Sequence, residues 1–403
     1  MSQSIFTIIR NHSTDEELNK TFKHLGLMFF DNKETGLTLV KYDQSNKKIY
    51  DFNNELVRYA RGLVFDRKTK EIVCLPPPKS IHIVPFSQHL VKDEWLNVTL
   101  EEFPDGTMIN CFNHKGKWHI STRSYIGANC RWYSSKNFNE LFKEAKGSLD
   151  FEKLNSNYCY TFVLEHPDNR IVTDYKVANI CLVQVIEILY DSFKDISLEE
   201  VKTELKEVDI DITIPKQFSI TIPEDINNIL ENMDYQQQGI VLKYNGMRSK
   251  VRNNEYENIK MLRGNSKSMF YNYIDLRKKG MLKDYLQYFP EFNEEFDTYR
   301  KSIETKTMLL LNNYKEAYIF KKKTKLEIPF ELRPLCYEMH GIYLNDRVKW
   351  DRTNVINFFN RLDPARIIFV INFENNKKFH TEKKETNVEE TLNTEVKNIN
   401  LEC

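Results

Sequence analysis

The dipeptide Asn245-Gly246, inside QQQGIVLKYNGMRSKVRNNEY (Gln236 to Tyr256), constrains the fold more than any other feature of the chain. An Asn-Gly pair between β-rich arms specifies a two-residue type I′ hairpin, because both residues accept the positive φ that matches strand twist. Such a turn fixes register: Tyr244 opposite Met247, Lys243 opposite Arg248, Val241 opposite Lys250. Side chains alternate along a strand, so Gly239, Val241, Lys243, Arg248, Lys250 and Arg252 share one face. Ile240, Leu242, Tyr244, Met247 and Val251 share the other. The second face is apolar and belongs to a core, while the first gathers four cations. Like charges side by side repel, which leaves two readings: a solvated charge run, or a phosphate site that Gly239 opens to close backbone approach. The spacing together with the glycine favours the phosphate site.

The hairpin pattern recurs upstream in GLVFDRKTKEIVCL (Gly62 to Leu75) and in INCFNHKGKWHIST (Ile109 to Thr122), with His114-Lys115-Gly116 at the second bend. TFVLE (Thr161 to Glu165) and ICLVQVIEILY (Ile180 to Tyr190) are apolar and β-branched enough for central strands. SSKNFNELFKEA between them has helical spacing. EEFPDGTMINCF (Glu101 to Phe112) reads as an acidic pair, a tight Asp-Gly turn and a strand from Thr107. From Ser266 the periodicity becomes helical, in KSMFYNYIDLRKKGMLKDYLQYF and, beyond Pro290, in FNEEFDTYRKSIETKTMLLLNNYKEAYIFKKK. A further helix, Thr353 to Asn360, precedes IIFVINF. The pattern predicts an α+β domain over residues 1–263, a helical C-terminal domain over 264–373, and a disordered tail over 374–403, which lacks hydrophobic periodicity.

Composition narrows the function classes. A net charge of +0 over 403 residues excludes a global field that would attract nucleic acid or membrane, so any basic surface is local. The N-terminus lacks the signature of a signal peptide, and no run approaches the roughly 18 apolar residues of a membrane span. A cytoplasmic protein with no membrane partner is expected. The seven cysteines, Cys74, Cys111, Cys130, Cys159, Cys181, Cys336 and Cys403, show no C-x-x-C spacing, so buried reduced thiols are expected, with neither a zinc site nor a disulfide framework.

Taken in order over residues 40 to 260, YARGLVFD, PPPKS, EEFPDGTMIN, FVLEHPDNRIV, QGIVLK and SKVR resemble the motifs of the phage-type ATP-dependent RNA ligase family, within the covalent nucleotidyltransferase superfamily of ligases and capping enzymes. The size and the helical C-terminal part suit a divergent, large-virus-like member, for which localisation would be host cytoplasm. The resemblance implies a nucleotidyltransferase (ATP-grasp-like ligase) domain with antiparallel sheets around a cleft, and ATP and Mg²⁺ as cofactors. Partners would be RNA 5′-phosphate ends. In that family a lysine of a K-x-D-G motif attacks the α-phosphate of ATP, and the lysyl-AMP is passed to RNA.

By this resemblance Asp105 and Gly106 are the D-G pair. Arg61 and Lys79 contact ATP phosphates, Glu165 holds the ribose or the metal, and Lys243 and Lys250 hold the α-phosphate. The hairpin register adds Arg248 and Arg252 as further RNA or phosphate contacts. Arg123 either joins the cationic side of the cleft or pairs with Glu165.

Two departures fall on the first chemical step. The lysine position is Phe103, whose ring has no lone pair, and Gln238 replaces a glutamate, which weakens coordination of a hard ion. Phe103 is expected as a core aromatic beside Pro104, filling the floor where a lysine stem would lie. Adjacent strand residues point to opposite faces, so Glu101 and Glu102 do not form an acid/base pair. His82, His119 and His166 lack ligand spacing and read as structural. Three functions follow: an RNA ligase-like binder of ATP and RNA phosphates impaired in self-adenylylation; an active ligase that seals pre-adenylylated ends or uses a rerouted nucleophile, with Lys115 and Lys117 on the next hairpin; and a scaffold whose helical domain and tail bind a partner protein.

Overall fold

The computed structural model describes residues 4–12, 14–43, 45 and 50–374; the expected tail lies outside them from residue 375 on. The chain divides into two compact units, Met1–Arg263 and Gly264–Cys403. Among the described residues no helix is long and apolar enough to cross a membrane.

The first unit is α+β. Its strands are β1 (Leu27–Asn32), β2 (Leu37–Tyr42), β3 (Arg61–Asp66), β4 (Ile72–Cys74), β5 (Thr99–Glu102), β6 (Thr107–His114), β7 (Lys117–Thr122), β8 (Tyr158–Glu165), β9 (Asn179–Ile188), β10 (Phe193–Ile196), β11 (Gln217–Phe218), β12 (Gly239–Tyr244) and β13 (Met247–Arg252). They form three sheets, in the orders β1-β2-β3-β4, β10-β9-β8-β6-β7 and β11-β5-β12-β13. Every strand-to-strand ladder is antiparallel. The three hairpins expected from local pattern are present as β3–β4, β6–β7 and β12–β13, and the two apolar stretches are the adjacent inner strands β8 and β9 of the five-stranded sheet.

Each sheet buries one face under helices. The helices Phe138–Ala145 and Leu198–Glu207 cover the five-stranded sheet through Leu141, Phe142, Val201 and Leu205 against Phe162, Leu164, Leu182 and Val185. Phe86 and Ile226 lie on Leu100, Ile240 and Leu242 of the third sheet, with Tyr244, Met247 and Val251 packed alongside. The apolar face of the Asn245-Gly246 hairpin is thus core, in the expected register, with Tyr244 opposite Met247, Lys243 opposite Arg248 and Val241 opposite Lys250. Among the described cysteines all six are free and five are buried. Cys74 and Cys159 bring their sulfurs to 3.5 Å.

The second unit is helical. The stretch expected as one helix up to Pro290 is two, Met269–Lys279 and Leu282–Tyr288, because the first ends at Gly280. Asn293–Tyr314 follows and runs into a π-helical turn, Lys315–Ile319. Arg333–Asp346, with Pro334 in its first turn, was not anticipated by periodicity, although proline there is a helix-start signal. Arg352–Arg361 contains the expected Thr353 to Asn360 segment. The apolar run after it is also helical, over 364–374. Tyr285 stacks on Phe296, and Tyr273 meets the same ring edge-on, all three buried within the unit.

Candidate functional site

The segment after β5 is not the tight turn that Asp-Gly suggests. β5 pairs with β12, Glu101 opposite Val241 and Glu102 opposite Ile240, and Phe103 extends the ladder by donating its N–H to Gly239 O at 2.9 Å. The chain then crosses to another sheet and begins β6 at Thr107. Gly106 makes the crossing possible: at its φ of +156° a Cβ would lie 2.2 Å from Leu164 O.

Asp105, expected to contact nucleotide, anchors this crossing. One carboxylate oxygen accepts from Val172 N and Thr173 N, both at 3.0 Å, and the other from the Tyr256 hydroxyl at 2.6 Å. Burial and the Asp105 charge push the Tyr256 hydroxyl well above its ordinary pKa, so the phenol stays a donor at neutral pH.

One wall of this segment faces a cavity of 410 Å³, lined by Arg61, Phe103, Arg123, Gln238, Arg248 and Lys250 among others. Three separate elements deliver the cations. Arg61 opens β3, Arg123 follows β7, and Arg248 and Lys250 project from β13. The chain holding Lys79 runs beside β13, where Ile81 N donates to Arg248 O at 2.9 Å and Ser249 Oγ to Ile81 O at 3.0 Å. Among the described residues no carboxylate forms an ion pair with Arg61, Lys79, Arg248 or Lys250, and the Nε atoms of Arg61 and Arg248 are buried without a hydrogen-bond partner.

The electrostatic cost is legible in the titration behaviour. Burial first, then Arg248, Arg61, Arg252 and Lys79, hold Lys250 well below its ordinary pKa. Burial, then Arg61, lowers Arg248 to about 10, with Glu101 pulling the other way. Lys79 is lowered by burial, then by Arg61, Arg252 and Arg123. Cations that depress one another inside a cavity make a site complementary to a polyanion.

The other wall faces a second cavity, of 330 Å³, which Phe103, Pro104, Asp105 and Gln238 share and which Glu102 and Glu165 also line. Phe103 is therefore a half-buried partition between two cavities rather than the core aromatic expected. Glu165 accepts from Asn179 Nδ2 at 2.8 Å and from the Tyr175 hydroxyl at 3.4 Å. Its pKa is raised by burial first, and further by Glu102 and Asp105. A divalent cation would relieve that repulsion, and Glu102 and Glu165 are the carboxylates placed to hold one. Asp105 is committed to the protein, and Gln238 contributes no charge.

The remaining expected residues disperse. Lys243 does not join Lys250: its ammonium is 2.7 Å from Glu101, donates to Val183 O at 3.1 Å, and lines a third cavity, of 510 Å³, with Asp195. Arg252 pairs with Glu257 at 3.0 Å. Arg123 takes the cationic side and makes no ion pair with Glu165 among the described residues. Lys115, at the tip of the β6–β7 hairpin, pairs with Asp66 at 2.7 Å, away from either shared cavity. The histidines serve structure: His82 Nδ1 caps a helix at Val84 N, His119 stacks on Phe112, and His166 contacts Glu144 at 3.1 Å. Glu144, His166 and Asp168 do converge with metal-ligand spacing, but the Lys136 ammonium already lies 2.8 Å from Glu144 and 3.1 Å from Asp168. Sequence reasoning missed Tyr256, Tyr175 and Asn179, and the pairing of Glu101 with Lys243. Each acts across a sheet or between distant segments, where no local pattern signals it.

No family model matches the chain. An immediate-early protein ICP-46 homolog of invertebrate iridescent virus 3 is 26% identical over 261 residues, 60% of this chain and 53% of the relative. An RNA ligase of Rhodothermus phage RM378 is 36% identical over 107 residues, 22% of this chain and 23% of the relative. The chain thus spans about half the length of the first relative and about a quarter of the second. Among solved structures, an archaeal ATP-dependent RNA ligase aligns over 67% of this chain and 68% of its own, with 14% identity and a TM-score of 0.43.

Proposed function

We propose, for a chain that is a divergent member of the RNA ligase family, that the first unit binds ATP and RNA 5′-phosphate ends in the cationic cavity, with adenylylation at position 103 closed. The observation that carries this reading is the convergence of Arg61, Arg248 and Lys250 on one cavity with no carboxylate paired to any of them among the described residues. Folding three cations together costs free energy that an anion returns on binding. In this reading Arg61 and Arg248 take the outer phosphates through guanidinium forks, Lys250 lies at the phosphate nearest Phe103, and Arg123 and Lys79 widen the cationic rim for an RNA phosphate.

The base and ribose would extend past Phe103 toward the acidic cavity, where Glu165 meets a hydroxyl and, with Glu102, a divalent ion. Such an ion would offset the repulsion between the two carboxylates. Phe103 itself offers nucleotide a ring face and no nucleophile, and so blocks the family's first step at its usual atom.

A short 5′-phosphorylated RNA and fluorescent ATP, titrated against the full chain at several salt concentrations, test the reading. Competition between them is expected, with affinity falling as salt rises, as counterion exchange requires. Absence of saturable ATP binding overturns it. Phe103→Lys with Gln238→Glu restores a nucleophile and a charged ligand in a cavity that already positions phosphate, so transfer of radiolabelled AMP to position 103 is expected. A folded double variant that binds ATP without labelling there would show that the cavity holds nucleotide in an unreactive pose.

A further inference from the structure

We propose that Lys250 is the nucleotide acceptor of this protein, its Nζ forming a phosphoramidate with the α-phosphorus of ATP in place of residue 103. The proposal rests on the reading above, that ATP occupies the cationic cavity. Geometry carries it. Lys250 Nζ lies 3.8 Å from the centroid of the Phe103 ring, so an amine already sits over the side chain that fills the nucleophile position. The hairpin causes this: Phe103 continues β5 beside Gly239, and Lys250 stands opposite Val241, two positions further along the same face. Gly239, beside Phe103 on the neighbouring strand, projects no side chain between them.

The other lysines near the site are excluded by their partners or places. Lys243 pairs with Glu101 and lines a different cavity. Lys260 reaches Glu257 at 3.5 Å, and Lys115 pairs with Asp66. Lys79 does not line the cavity that holds Phe103.

A lysine attacks phosphorus as the free amine, a form that the surroundings favour and a bound phosphate partly withdraws, so the step is expected to quicken as pH rises. The charged groups facing Lys250 are Arg248 and Arg252 on its own strand, Arg61 on β3, Arg123 after β7, Lys79 beside β13 and Lys260 on the helix Asn254–Arg263. Asp105 is the lining carboxylate, and its oxygens are turned to Val172, Thr173 and Tyr256. Burial first, and then this cationic balance, hold the Lys250 ammonium well below the ordinary lysine value of 10.5. In the step, the amine lone pair attacks the α-phosphorus in line with the bridging oxygen to the β-phosphate. The N–P bond forms as that P–O bond breaks, pyrophosphate leaves with the bonding pair, and one N–H proton passes to water. Arg61 and Arg248 are placed to take the charge that builds on the leaving pyrophosphate.

The test incubates the full chain with ATP radiolabelled in its α-phosphate, resolves it on a denaturing gel, and maps the label by peptide mass spectrometry. Fluorescent-ATP titration runs in parallel. Acid-labile AMP on the Lys250 peptide is expected, with a yield that rises with pH as the amine deprotonates below the ordinary lysine value of 10.5. Lys250→Arg keeps the positive charge but removes the free amine, so its label is expected to fall at least about tenfold while ATP affinity stays within about threefold. Lys117→Arg, at the distant hairpin tip, labels as the native chain does. Three results overturn the proposal: ATP binding without label, label mapped to another residue, or native labelling by Lys250→Arg. Failure to bind ATP overturns the cavity reading as well, and the titration separates that outcome from the others.

Discussion

The two cavities on either side of Phe103 share a wall and differ in how their charges are satisfied. In the acidic one, Glu165 accepts from Asn179 and Tyr175, and its charge is partly answered by protein dipoles. In the cationic one, Arg61, Arg248 and Lys250 have one another as neighbours and no paired carboxylate among the described residues. Charge count alone does not single out a site, since this chain carries 58 basic and 58 acidic side chains. What distinguishes the cationic cavity is the cost its cations impose on one another, which an arriving polyanion removes.

The sharpest way to break this comparison is to empty each wall in turn. Arg61→Gln with Arg248→Gln is expected to weaken ATP binding about 100-fold or more, since a charged hydrogen bond contributes about 1.5–3 kcal/mol. Glu165→Gln, which keeps the shape of the acidic wall, is expected to cost less than about tenfold in the same fluorescence titration. Equal losses from the two variants would end the distinction.

A smaller effect separates two lysines on one hairpin face. Lys243→Ala strands the buried Glu101 and is expected to lower unfolding free energy by about 2 kcal/mol in denaturant melts. Lys250→Ala removes a repelled cation and is expected to change stability by less than about 1 kcal/mol, toward greater stability. The sign also depends on pH. A lysine held below its ordinary pKa by the fold costs stability while charged, and that cost is relieved as pH rises through the depressed value toward 10.5. Lys250→Ala should therefore show its advantage at neutral pH and lose it in alkaline melts.

The smallest expected effect is a fraction of a proton. Phosphate raises the pKa of Lys250 on binding, so a non-cleavable α,β-methylene analogue of ATP takes up protons, and its affinity falls as pH rises through the window between the depressed and restored values. Calorimetry in two buffers of different ionisation enthalpy measures the uptake. Lys250→Arg, charged throughout, should abolish it.

Local geometry explains how much of this could be read from the chain alone. An Asn-Gly turn settles its own register, so the pairing of Lys243 with Arg248 and of Val241 with Lys250 was accessible without coordinates. The same reasoning treated Lys243 and Lys250 as equivalent, because both stand on one face. Their difference arises from what lies across the sheet: β5 sets Glu101 against Lys243, and the residue after β5 sets Phe103 beneath Lys250. The strand pairing that joins β5 to β12 links residues more than a hundred positions apart, and no short-range pattern specifies it. The Asp-Gly pair misled for a related reason. It has the composition of a turn, but Tyr256, Val172 and Thr173 hold Asp105 from distant segments and make it a crossing between sheets.

That hold on Asp105 bears on how relatives of this protein should be classified. A carboxylate that ties three segments together serves the integrity of the domain, whatever the chemistry beside it. Changes at position 103 or at the neighbouring carboxylates leave the Asp105 hydrogen bonds in place, whereas loss of the aspartate strands Val172 N, Thr173 N and the buried Tyr256 hydroxyl. In a relative, the D-G pair therefore marks this scaffold, and the charge on the neighbouring hairpin is the better indicator of whether an anion is received.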